Sequence, residues 1–191
     1  MVKEKELQPT YQYLKELTGK MFLKLQVTKM LSFSFLVNSY QKKTVGKTYT
    51  LITTKEISVL SNTQLELSAL YPCKHEEADT RMMLHLQHAA ANGHERAYLR
   101  TVDTDVVILA VFHLETLGLT ELWIGFGSGK TFKEIPIHTI HRQLGEERCK
   151  AILMFHSFTG CDVTSSFFGI GKKTAWNAWE SFPEVTEPLQ L

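Results

Sequence analysis

Aspartate is scarce in this chain and absent from its first 78 residues. The four present are Asp79, Asp103, Asp105 and Asp162, against sixteen glutamates. Arginine is likewise missing from residues 1–74, where eleven lysines and five glutamates leave a surplus of six positive charges. Residues 75–191 carry the opposite imbalance, so the net charge of +1 over 191 residues hides a boundary near residue 74. Only three cysteines occur, Cys73, Cys149 and Cys161, without CxxC spacing. That argues against a disulfide framework or a zinc site, and fits a reducing, intracellular compartment, the nucleus included. No apolar run approaches the roughly 20 residues that a bilayer needs, and MLSFSFLV lacks the flanks of a signal peptide. A membrane is therefore not an expected partner. Internal repeats and low-complexity tracts are also missing.

What remains is 43% hydrophobic and 21% charged, the composition of an ordinary globular protein. The length suits one domain with a sizeable core, or a domain plus an extension. Residues 1–74 read as a basic segment with few signals, except that TYTLITTKEISVL alternates enough for one or two strands. The basic surplus there suits a solvated surface or a nucleic-acid face.

From residue 75 the periodicities sharpen. Ala78, Met82, Leu86 and Ala89 form a helical stripe stopped by Asn92-Gly93. Ala97 to Val102 reads as a buried strand, and VVILAVFHLETLG as a helix ending at Gly118. ELWIGFG and KTFKEIPI flank a Gly-rich turn and predict a hairpin or two short strands. Pro136 opens a helix stopped by Gly145, Glu146-Glu147 open another that runs to about Phe158, and GIGKKTAWNAWESF is a tight turn feeding a last helix. Helix, strand and helix in succession predict an α/β fold with a parallel central sheet.

All four aspartates fall at the ends of these elements. In open α/β sheets, sites form outside the carboxyl ends of the strands, which is where Asp103 and Asp105 fall. Two carboxylates that close repel one another, and a hard cation between them removes the cost. Mg²⁺ takes such oxygen ligands and keeps several waters. Two capping aspartates at a helix start explain the same DTD, and so does the metal–nucleotide site of a glycosyltransferase. Glu77 and Asp79 make a second acidic pair at a helix start, and Asp162 follows Gly160-Cys161 at a helix end.

HEEAD, TVDTD and FTGCDVTSSFFGIGKKTAW, in this order, resemble the internal region of flap endonuclease and XPG-type nucleases of the PIN-like fold. The resemblance covers about residues 75–180. It implies a three-layer α/β/α core over residues 75–182, a C-terminal helix–turn–helix element, and a short tail at 183–191. It implies Glu77, Asp79, Asp103, Asp105 and Asp162 as ligands of two Mg²⁺ or Mn²⁺ ions, with Asp103 and Asp105 catalytic. Such ions, about 3.5–4 Å apart, activate water and stabilise the leaving oxygen of a phosphodiester. It further implies that the turn of Gly169, Gly171, Lys172 and Lys173 grips a DNA backbone without reading bases. The family's upstream aspartates have no counterpart in residues 1–78, which marks a partial member. The expected function is a metal-dependent nuclease-like domain acting on DNA, active or degenerate. The alternative is a non-catalytic nucleic-acid- or protein-binding module of the same fold.

Several motifs carry less. GFGSGKTF has Ile124 where a phosphate-binding loop needs its first glycine, so a hairpin turn is expected. His85/His88 and His138/His141 lack a suitably spaced third zinc ligand. Cys161 is expected to be a small buried hydrophobe, and Trp176 and Trp179 to pack the last helix onto the domain.

Overall fold

The computed structural model describes residues 23–26, 52–55, 57–61, 64–74, 77–162 and 164–190. Most of the basic segment 1–74 lies outside them, as do MLSFSFLV, His75 and Glu76 of HEEAD, and Leu191. The strands are β1 (Leu23–Gln26), β2 (Ile52–Lys55), β3 (Ser58–Ser61), β4 (Arg96–Thr101), β5 (Glu121–Phe126) and β6 (Lys133–Pro136). The helices are α1 (Ala78–Ala91), α2 (Thr104–Leu117), α3 (Ile137–Leu144), α4 (Glu146–Phe158) and α5 (Lys172–Ser181), with 3₁₀ turns at Gly129–Thr131 and Pro183–Leu189.

The fold is mixed α/β. The main sheet has the order β1-β4-β5-β6, and β2 pairs with β3 in a separate antiparallel ribbon. β1, β4 and β5 run parallel, with Leu99 opposite Leu25 on one side and Ile124 on the other. β6 returns antiparallel to β5, so the sheet is mixed rather than parallel throughout. The reason is the connection. The link from Phe126 to Lys133 is too short for the helical crossover that a parallel neighbour requires, and it closes a hairpin instead. The GKT of the apparent phosphate-binding loop is the 3₁₀ turn of that hairpin.

α2 sits at the centre of the helical packing, against α1, α3 and α4. It buries Val106, Ala110, Val111, Leu114 and Leu117, and Gly118 ends it in the left-handed conformation at φ 72°. Ala97, Tyr98 and Leu99 are consecutive on β4 and all buried, so both faces of this strand are covered. The core joins them to Leu86 of α1, Leu122 and Ile124 of β5, Ile137 of α3, Ile152 of α4 and Trp179 of α5. Trp179 stacks on Phe155 at 4.7 Å and Trp176 meets the same ring edge-on, so both tryptophans pack α5 onto α4.

Tyr98 explains one glycine. Its hydroxyl donates to Glu134 Oε1 at 3.3 Å, and burial, then the Glu134 charge, push its pKa up to about 12. A Cβ on Gly125 would lie 2.2 Å from that hydroxyl oxygen. We expect Gly125→Ala to cost about 1–3 kcal/mol, the usual penalty for overpacking a filled interior. Tyr98→Phe in the same chain should recover part of it, because the closest clash is with the oxygen. Urea unfolding of the two single variants and the double variant measures the coupling. Strictly additive losses would show that Tyr98 is not what excludes a side chain at Gly125.

Candidate functional site

The DTD segment serves two purposes. Asp103 is the N-cap of α2, and its Oδ1 accepts from the Asp105 backbone N–H at 3.0 Å. Its own N–H donates to Thr101 Oγ1 at 3.0 Å. Capping explains this residue. Asp105, in the first turn of the helix, points elsewhere: its Oδ1 accepts from His156 Nε2 at 2.8 Å. His156 lies near the end of α4 and is only 8% exposed. The other ring nitrogen, Nδ1, is 3.3 Å from Lys172 Nζ, at the first position of α5. A lysine ammonium has no lone pair to offer, so Nδ1 accepts and Nε2 carries the ring proton. Lys172 also donates to His156 O at 3.0 Å and Thr159 Oγ1 at 3.1 Å. Its three protons thus meet three acceptors, two of them at the carboxyl end of α4, where a cation is favoured.

Asp105, His156, Thr159 and Lys172 border a pocket of about 450 Å³ that Asp162 and Ser166 also line. Gly160 shapes its wall. It adopts φ 92°, and a Cβ there would lie 2.8 Å from Ser166 Cβ. Side chains rarely adopt that dihedral, so the loop can pass this close only with glycine. Cys161 is half-buried rather than buried, with Sγ 3.2 Å from Thr164 Oγ1. Both nitrogens of His156 are occupied, so that ring offers no base to this thiol.

The structure sorts the predicted residues into groups. Asp105, Asp162 and Lys172 share the pocket. Asp103, half-buried, is committed to capping α2 and is not among the residues lining the pocket. Glu77 is exposed just ahead of α1, and Asp79 stands in that helix's first turn. Neither is among the residues lining the pocket. Among the described residues, no three His, Cys, Asp or Glu side chains are grouped to hold a metal ion. Gly169 takes φ 74° in the turn where Ile170 N–H donates to Phe167 O, and Gly171 is the N-cap of α5. Lys173 is exposed, with no hydrogen bond or ion pair among the described residues.

Mg²⁺ is usually held by one or two carboxylates, with waters and substrate phosphates completing its shell. Asp105, whose Oδ2 has no hydrogen-bond partner among the described residues, and Asp162 line the same pocket, and two carboxylates match in number what one such ion takes. They do not by themselves fit two.

His156 was not legible as a site residue, although a signal existed. Cys149, Ile152 and His156 fall at helical spacing on the buried stripe of α4. A polar side chain on such a stripe needs a buried partner. No protein-family model matches the chain, no curated protein matches it, and no solved structure matches it.

Proposed function

We propose that this chain is a nuclease-like domain of the PIN type that engages DNA phosphodiesters through a divalent cation at Asp105 and Asp162. The observation that carries the reading is that these two carboxylates, far apart in sequence, border one pocket beyond the carboxyl end of β4. When bound there, Mg²⁺ or Mn²⁺ supplies Lewis-acid polarisation of a phosphoryl oxygen. Asp105 and Asp162 hold the cation. The turn of Gly169 and Gly171 brings a backbone past the start of α5, and Lys173 meets its phosphates. Lys172, although exposed, turns its ammonium toward the end of α4, where its donors are already committed. The α4–loop–α5 unit stands in for the family's helix–turn–helix element. The second reading, binding without cleavage, draws on the absence of a third grouped ligand among the described residues.

Fluorescence anisotropy of labelled flap and duplex DNA tests the reading. The wild type should bind both more tightly with Mg²⁺ than with EDTA, and Asp162→Asn should remove that difference. Equal binding in Mg²⁺ and EDTA would sink the cation assignment. Lys173→Ala should weaken every sequence alike and reduce the slope of log affinity against log salt by about 0.9, one phosphate contact. Loss confined to one sequence would mean that Lys173 reads bases.

A further inference from the structure

We propose that Lys172 and His156 are positioning residues for Asp105. Lys172 holds the His156 ring in its Nε2–H tautomer, and that N–H holds one Asp105 oxygen so that the other is presented to the pocket. The proposal rests on the reading of Asp105 as a cation ligand, and reassigns Lys172, which the sequence pattern offered as a phosphate contact.

The His156 ring is buried, and a buried imidazole with an unsatisfied nitrogen is costly. Its two nitrogens have one partner each, and the partners differ in kind: a carboxylate that only accepts, and an ammonium that only donates. One tautomer satisfies both, and the opposite one satisfies neither. Lys172 is itself pinned by His156 O and Thr159 Oγ1, so it cannot follow the ring if the ring turns. The chain of bonds ties three elements together: Asp105 on α2, His156 on α4 and Lys172 on α5. Ligating carboxylates are commonly held this way by a second layer of donors, and loss of such a donor typically weakens metal binding about 10–100-fold. A nuclease pocket that needed Lys172 as a free hand for phosphate would leave the lysine's protons uncommitted. Here all three have acceptors.

The test is long-range ¹H–¹⁵N NMR on the full chain with ¹⁵N-labelled histidine, His156 being identified by the signals lost in His156→Gln. In the wild type, Nε2 should carry the proton and Nδ1 should show a lone pair, with and without Mg²⁺. Lys172→Met keeps the aliphatic stem and removes the donors. It should abolish the single-tautomer signature and weaken Mg²⁺ binding, measured by calorimetry, by about tenfold or more. Lys172→Arg should restore the wild-type signature at least in part. A wild-type His156 protonated on Nδ1 would overturn the proposal, and so would an unchanged tautomer and Mg²⁺ affinity in Lys172→Met. If the tautomer pattern is found and the wild type binds no Mg²⁺, the cation reading of Asp105 falls. The positioning of its carboxylate then stands on the NMR result alone.

Discussion

Asp105→Asn and Asp162→Asn are each expected to abolish whatever Mg²⁺- or Mn²⁺-dependent cleavage of flap or duplex DNA the wild type shows. That cleavage is itself expected to be slow. An active two-metal centre shares several carboxylates between its ions, and only two of the predicted five line this pocket. Removing one pre-organised charge from a phosphoryl-transfer site typically costs about 10²–10³ in rate, which takes a slow reaction below detection. Metal-free DNA binding should move the other way. Neutralising an acid near the path of a phosphate removes repulsion, so both variants should bind duplex in EDTA as well as the wild type or better. A gel assay of cleavage, paired with anisotropy of the same protein in EDTA, separates the two effects. Undiminished cleavage by both variants would overturn the site assignment. Fast Mg²⁺-dependent cleavage by the wild type would overturn the reading of a depleted metal set.

The elements around the site were largely legible because their signals are local. α2 has an aspartate cap, an almost continuous apolar run and a glycine stop, and the structure places it at Thr104–Leu117. The same held for the hairpin, whose turn glycines outweighed the phosphate-loop spelling. Parallel order across the whole sheet was not legible from alternation of helix and strand, because only a 3₁₀ turn, and no α-helical crossover, lies between β5 and β6. The site divides along a similar line. DTD spacing left capping and ligation open, and the structure uses one aspartate for the cap and turns the other to His156. No local pattern distinguishes those two roles, because the choice is made by an imidazole 51 residues away. Lys172 divides in the same way. It is exposed beside a glycine turn, and only the return of α5 against the end of α4 gives its ammonium three acceptors.

Acidification should destabilise the fold well before the carboxylates titrate, and His85 on α1 is the group expected to dominate. Its side chain is buried, at 6% exposure, which disfavours the charged ring, and the neighbouring charges of His88 and Arg81 add to the effect. Together they hold its pKa down at about 4, against an ordinary value of 6.5. The sign follows from proton counting. Between those two values the unfolded chain binds a proton that the folded chain does not, so stability falls as pH falls through the window. Above pH 6.5 the full stability is present, and below about 4 no more is lost through this group. Each unit of displacement corresponds to about 1.4 kcal/mol, so the expected loss between pH 7.5 and 4.5 is about 2–3 kcal/mol. His113, also held down by burial, adds a smaller loss in the same direction. Urea unfolding of the wild type and His85→Gln at the two pH values isolates the term, since the glutamine variant keeps every other titrating group. The wild type should lose about 2–3 kcal/mol more than the variant on acidification. Equal losses in the two proteins would mean that His85 takes up its proton without leaving the core, and that the burial seen in the structure does not govern its charge.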